Sequence, residues 1–324
     1  MLPPVHVACV GAGYFSQFHY ESWKRMDEVW LVGACDCDLT RAEATGLPAY
    51  DCLEAMLEKQ GPDLLDVILP PAEQAKALRT AIDAGIKWII CQKPFCQSLE
   101  EAQNIIAEAK AAGARIIVHE NFRFQPWYRR IKSALDTGLL GQVQHLTFRL
   151  RPGDGQGADA YLDRQPYFRD MPRFLVHETG VHWVDVFRYL VGNPSAVYAD
   201  LRQINPVIRG EDAGYLLFEH PGNVRSVLDA NRHLDHQSDN LRRTMGEALI
   251  EGTNGTLTLK GDGSVWHRFF GETQETLFAQ PDAWDGFGGD CVHALQSHVV
   301  FGLLDGRPLE NEAKDYIYVI RIEE

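Results

Sequence analysis

From the amino terminus to about residue 120, short apolar runs alternate with stretches of helical periodicity. The runs Val5–Val10, Trp30–Cys35, Leu64–Leu69, Trp88–Cys91 and Ile116–His119 are rich in β-branched residues and lack strict alternation. That pattern suits strands of a parallel sheet covered on both faces. Between them, Gln17–Met26, Cys52–Lys59, Glu73–Ala84 and Leu99–Ala112 predict helices. The last opens on a capping box, Ser98 with Glu101 three residues on. A βαβ series of this kind predicts an α/β, doubly wound domain of Rossmann type over residues 1–120.

After Asn121 the pattern changes. Gln125–Thr137 predicts a helix, VQHLTFRLR a strand, and FLVHETGVHWVDVFRYLVG a second helix. Between the last two lies PGDGQGADAYLDRQPYFRDMPR, a connection long enough to border a functional site. Its tyrosines (Tyr161, Tyr167) and arginines (Arg164, Arg169, Arg173) predict a packed wall. AVYADLRQI, DAGYLLFEH, VRSVLDANR, RRTMGEALIEG, GTLTLK and SVWHRFF then read as strands separated by turn residues. They predict a large, mostly antiparallel open sheet, so that residues 121–324 form an α+β domain. A final helix from about Gly289 to Leu304 and a strand, YIYVIRI, are expected to close the chain.

Composition narrows the function. The 324 residues carry 31 basic and 45 acidic side chains, a net charge of -14. That balance disfavours nucleic acid or an acidic membrane surface as the main partner. No stretch approaches the roughly 18 apolar residues of a membrane span. The start, MLPPVHVACVG, has no basic segment ahead of its apolar run and reads as a first strand rather than a signal peptide. Seven scattered cysteines, six in the first hundred residues, suit reduced thiols in a cytoplasmic protein. The Cys35–Cys37 and His233–His236 spacings each lack a second ligand pair, and no metal is expected.

The chemistry starts at CVGAGYFS. Gly11 permits a tight turn after the first strand, Gly13 lets the backbone approach a pyrophosphate, and Ser16 stands where a third glycine is usual. The second strand, WLVGACD, ends at Asp36, placed to meet the adenosine ribose hydroxyls. An acid there repels a 2'-phosphate, which favours NAD; Arg41 leaves NADP open. The third run ends in Pro70 and Pro71 at the edge of the nucleotide crevice. The fourth ends CQKP, where Pro94 restricts Lys93 and admits a cis peptide. In ETGVHWVD, Glu178, His182 and Asp185 fall on one helical face.

GAGYFS, CQKP at 91–94, NFRFQP at 121–126 and ETGVHWVD at 178–185, in that order, resemble the glucose-fructose oxidoreductase / inositol dehydrogenase (Gfo/Idh/MocA) family over nearly the whole chain. The family pattern has glutamate where Gln92 stands, aspartate where Glu178 stands, and often histidine where Gln74 stands. The resemblance implies a nicotinamide cofactor held by Gly11, Gly13, Tyr14, Phe15, Asp36, Cys37, Arg41, Leu69, Pro70, Pro71, Gln74, Gln92, Lys93, Pro94 and Asn121. It implies Lys93 and His182 as catalytic residues. His182 would accept a hydroxyl proton, Lys93 would stabilise the alkoxide, and Asp185 would orient the imidazole. Asn121, Arg123, Tyr161, Arg169, Arg173, Glu178 and Asp185 would bind the substrate, with the two loop arginines suggesting an acidic or phosphorylated group. A sugar, inositol, sugar acid or related polyol is the expected substrate class. The alternatives are a dihydrodiol- or imine-type reductase on the same scaffold and a non-catalytic nucleotide-sensing regulator. A homodimer or homotetramer through the second-domain sheet is also implied.

Overall fold

The computed structural model describes residues 3–284 and 286–324. Two compact units emerge. One takes the residues up to Glu120 together with Val292–Ile322 and Glu324; the other takes Asn121–Cys291 and Glu323. The first stretch of the first unit ends at Glu120. The expected assignment of everything after 121 to the second unit is not met, because the C-terminal segment returns to the first.

The first unit runs β1 (Val5–Val10), α1 (Ser16–Lys24), β2 (Val29–Cys35), α2 (Leu39–Glu43), β3 (Ala49–Tyr50), α3 (Leu53–Gln60), β4 (Leu64–Val67), α4 (Pro71–Asp83), β5 (Trp88–Gln92), α5 (Leu99–Ala111) and β6 (Arg115–His119). The six strands lie in the order β3-β2-β1-β4-β5-β6, with every pairing parallel. The order reverses between β1 and β4, and in such sheets that is where ligands bind, beyond the strands' carboxyl ends. Val7, Cys9, Leu64, Leu65, Ile89, Ile90, Ile117 and Val118 are fully buried, as strands covered on both faces require. At α5 the Ser98 hydroxyl accepts from the Glu101 amide at 3.2 Å, and the Glu101 carboxylate accepts from the Gln97 amide at 2.9 Å.

The second unit holds α6 (Pro126–Asp136), β7 (Val143–Leu150), α7 (Val181–Val191), β8 (Ala196–Arg202), β9 (Ala213–Glu219), β10 (Arg225–Asn231), β11 (Gly246–Gly252), β12 (Gly255–Leu259), β13 (Val265–Phe269) and β14 (Thr276–Ala279). Among the described residues these strands form one sheet in the order β14-β13-β12-β11-β7-β10-β9-β8. Only the β7–β10 pair in it is parallel. One face packs beneath α7: Trp183 lies 4.4 Å from the Phe148 ring, and Phe187 lies 5.9 Å from Phe218. The long loop after β7 packs Ala160, Tyr161, Phe168 and Phe174 into a small core with Ile208 from the β8–β9 connection, so it is the packed wall that its aromatic content predicts.

The chain then enters α8 (Cys291–Asp305) and α9 (Ala313–Glu323). The strand expected at YIYVIRI is therefore helical. Its composition favours a strand, but Ala313, Tyr316, Ile317 and Ile320 are buried, a spacing of three and four that belongs to a helix face. Among the described residues no helix is long and apolar enough to cross a membrane.

Candidate active site

The nucleotide end of the first unit is built by two glycines and one carboxylate. Gly11 has φ +104°, and a Cβ on it would lie 2.3 Å from the Ile68 carbonyl oxygen at the end of β4. Only glycine allows β1 and β4 to leave the sheet so close together. Gly13 is the opposite case: a Cβ there would meet no atom within 4 Å. That open space lies at the start of α1, where among the described residues no side chain caps the helix. Asp36 is 8% exposed. Its carboxylate accepts from the Ala12 amide at 2.8 Å and the Asp38 amide at 2.9 Å, which ties the end of β2 to the glycine turn. A bare helix start, an open glycine and a fixed acid at the next strand fit a dinucleotide's diphosphate and ribose.

Tyr14 is exposed and meets Phe18 edge-on; Phe15 meets His19 edge-on. Cys37 is exposed, its sulfur 3.6 Å from the Asp36 carboxylate, and Arg41 pairs with Asp38 at 3.4 Å. Leu69 and Pro70 follow β4, and Pro71 occupies the first position of α4. Gln74 is fully buried. Its amide donates to the carbonyls of Leu69 (3.0 Å) and Gln92 (2.8 Å), and its oxygen accepts from the Cys96 amide at 2.8 Å. With both donors used on main chain, Gln74, which the resemblance places among the cofactor residues, clasps the ends of β4 and β5.

Lys93 directly follows β5 and is joined to Pro94 by a cis peptide bond. Its amide donates to the Gln92 side-chain oxygen at 2.8 Å. Behind Gln92 stand His19 and Asp66, two residues that sequence reasoning passed over. A lone polar position inside the apolar run LLDV was the available signal for Asp66.

In the second unit, Phe174 leads into a π-helical turn, Leu175–Gly180, which runs directly into α7. Glu178 sits on the wide turn while His182 and Asp185 sit on the regular helix, so the three do not share the single uniform helical face expected. Turns of this type recur at functional sites because they re-aim side chains. His182 is 7% exposed and stacks on Phe122, with centroids 3.7 Å apart and planes 5° from parallel. The Asp185 carboxylate takes both arms of Arg123, at 2.8 and 2.6 Å, and Arg188 at 3.3 Å. Arg123, expected on the substrate, is thus committed to a buried bidentate pair. Asn121 is buried, and its Nδ2 has no hydrogen-bond partner among the described residues, a donor in want of an acceptor.

Glu178 accepts from the Thr179 hydroxyl at 2.5 Å and lies 3.7 Å from Arg232. Arg232, also missed in the sequence, is 2% exposed and faces the rings of Tyr161, Phe168 and Phe174. It donates to Asp154 at 2.8 and 3.1 Å and to the Tyr161 hydroxyl at 2.7 Å. Burial alone would raise the Asp154 carboxyl, but the charge and hydrogen bonds of Arg232, with Arg164 beside it, hold it below the usual range. Tyr161, with φ +68°, spends its hydroxyl inside this network, donating to Asp154 at 3.1 Å. The loop segment from Asp154 to Arg164 lines a cavity of about 690 Å³. Arg169 offers its carbonyl to the Arg209 amide, and Arg173 pairs with Glu323 at 2.8 Å. His233 and His236 turn to different partners, the Asp212 carboxylate and the Arg151 carbonyl.

Comparison with known proteins agrees with this architecture. Residues 5–120 match the family described as "Oxidoreductase family, NAD-binding Rossmann fold" (GFO_IDH_MocA), and residues 128–258 match the GFO/IDH/MocA C-terminal domain. The chain is 30% identical to a D-apiose dehydrogenase of Paraburkholderia graminis, over 98% of this chain and 85% of that one. It is 28% identical to a D-apiose dehydrogenase of Rhizobium rhizogenes, over 78% and 72% respectively. Among solved structures, an Agrobacterium radiobacter oxidoreductase in complex with NAD+, L-tartaric acid and magnesium shares the fold, with TM-score 0.88 and 23% identity over 98% and 94% of the two chains. An inositol dehydrogenase homologue of Azotobacter vinelandii, complexed with NADH and myo-inositol, shares it with TM-score 0.80 and 17% identity over 100% and 94%. The chain belongs to the Gfo/Idh/MocA family and is an NAD(P)-dependent oxidoreductase, a dehydrogenase acting on CH–OH groups.

Proposed function

We propose that the substrate is an uncharged sugar or polyol, oxidised at one CH–OH carbon, with NAD preferred over NADP. One observation carries the substrate class. Arg123, Arg164, Arg173, Arg188 and Arg232 are each already paired with a carboxylate of this chain. An anionic substrate drawn to any of these five would have to break its pair, and for the enclosed Arg188 and Arg232 leaving a buried charge without its partner is costly. The cavity beside the loop is lined by Asp159 and Asp163 together with the paired Asp154 and Arg164, and its carboxylates suit hydroxyl donors. The two D-apiose dehydrogenases are named for an uncharged sugar, in keeping with this reading.

Gly13, the start of α1 and Asp36 are the residues that would hold the nucleotide. Asp36 disfavours a 2'-phosphate by charge. When bound, the cofactor supplies the nicotinamide that accepts hydride. His182 takes the hydroxyl proton at an imidazole nitrogen, its ring fixed by the Phe122 stack. Lys93 places its ammonium against the developing alkoxide. Asn121 directs its unsatisfied amide donor to a ligand oxygen. Second copies of the chain associate through the exposed face of the large sheet.

The test is reduced-nicotinamide absorbance with NAD or NADP and a panel of neutral sugars, D-apiose among them, polyols and uronates. Turnover is expected on a neutral compound with NAD, and Lys93→Ala and His182→Ala should each lower kcat by about 10²- to 10⁴-fold. Preference for a uronate, or retention of turnover in both variants, would overturn the reading.

A further inference from the structure

We infer that His19 and Asp66 are positioning residues for Lys93, acting through Gln92. The inference rests on the role proposed above for Lys93. Gln92 is bound on both sides of its carboxamide. Its oxygen accepts from the Lys93 amide at 2.8 Å, so its –NH₂ is the group that lies 3.1 Å from His19 Nε2. A donor aimed at Nε2 requires that nitrogen to be the acceptor. The ring proton then sits on Nδ1 and is donated to Asp66 Oδ2 at 2.8 Å. The same oxygen accepts from Trp23 Nε1 at 2.8 Å and from Gln296 Nε2 at 3.3 Å.

This string runs from the core of the first unit to the peptide of Lys93. His19, Asp66 and Gln296 are fully buried and Gln92 is 9% exposed, so solvent does not compete for any step of it. The His19 ring has little freedom to turn: the His119 ring lies tilted against it at 4.1 Å, and Phe15 meets it edge-on at 5.6 Å. The titratable groups facing the ring are Asp66 from β4 and His119 from β6. The order of donors along the string is therefore fixed in one direction. Asp66 selects the His19 tautomer, the tautomer selects the Gln92 rotamer, and the rotamer holds the Lys93 amide. Gln74 fixes the same strand end from the other side, through the Gln92 carbonyl. A side chain that must meet a reacting atom gains from being held this way, because small displacements are expensive in rate.

Two conservative variants separate positioning from mere packing. Glutamine at 19 places a carboxamide near the Nε2 position and keeps an acceptor for Gln92. Asparagine is shorter, reaches the Nδ1 position and keeps the partner of Asp66 only. His19→Gln should retain most of kcat. His19→Asn should lose about 10- to 100-fold in kcat, with KM for the sugar nearly unchanged and a melting temperature close to that of His19→Gln. A readout independent of turnover is ¹⁵N NMR of the histidine rings in the nucleotide-free protein, with the His19 signals assigned by their loss in His19→Gln. They should show a protonated Nδ1 and an unprotonated Nε2, and Gln92→Glu should add a proton at Nε2. A wild-type ring protonated at Nε2, or equal kcat in the two variants, overturns the inference. Were Lys93→Ala to turn over normally, the role of Lys93 would fall while the tautomer result would still decide whether the string exists.

Discussion

At the scale of single residues, the second unit is organised around buried charges held in pairs. Asp154 shows what this costs. Arg232 is almost completely enclosed and is compensated chiefly by that one carboxylate. Removing one partner of a buried ion pair typically costs about 3–5 kcal/mol, because the other charge stays behind. Asp154→Asn should therefore lower stability by about that amount at neutral pH, measured by urea unfolding. The pH dependence has a definite sign. The Asp154 carboxyl is held below its unfolded value, near 3.9 for an ordinary aspartate, so the pairing contributes in full above that value. It is lost as pH falls through the lowered folded value. The gap between Asp154→Asn and wild type should accordingly shrink in acid. None of this was visible in the sequence, where Asp154 and Arg232 lie far apart in loops and strand ends with no local pattern. The turn at Gly11 and Gly13 and the place of Asp36 after β2 were legible because their geometry is set by neighbours within one βαβ unit.

At the scale of elements, reading was easiest where period and composition agree. The parallel strands of the first unit are mostly apolar and the helices between them are amphipathic, so both signals coincide. They diverge in α9. Apart from Arg321, Tyr316–Ile322 is made of β-branched and aromatic residues, which favour strands, yet the buried positions follow a helical period. A strand would place residues 316, 318 and 320 on one face. The helix instead buries Ile317 with Ile320 and leaves Tyr318 exposed. An aspartate at 317 or at 320 should destabilise by about 3 kcal/mol or more, through burial of a charge. An aspartate at 318 should fall within about 0.5 kcal/mol of wild type, as exposed positions do. Equal losses at 318 and 320, with none at 317, would restore the strand. The π-helical turn at Leu175–Gly180 was equally hidden, since one extra residue in a turn leaves no mark on composition.

At the scale of the whole molecule, the order of the two domains could be read from the change of pattern after Asn121, but the return of 292–322 to the first unit could not. That return depends on contacts between segments far apart in sequence, which no local period records. The large sheet raises the remaining question. Its pairing register aligns Tyr198, Leu217, Val227, Thr147, Leu249, Thr258, Trp266 and Leu277 in one row across all eight strands. Of these, Tyr198, Leu217, Leu249 and Leu277 are exposed, with Tyr198 at 68%. A largely apolar row running the width of a sheet face is unusual for a monomer surface. A net charge of -14 works against casual association, so only a complementary face would overcome it. A second copy of the same face meets that requirement about a two-fold axis. Light scattering on the wild type should give a mass of at least twice 36.5 kDa. Tyr198→Lys combined with Leu217→Lys puts two like charges on each face of that contact and should return the mass to a single chain with the melting of each unit retained. A wild type that scatters as one chain at every concentration would remove the face from consideration, and a double variant that stays associated would place the contact elsewhere on the molecule.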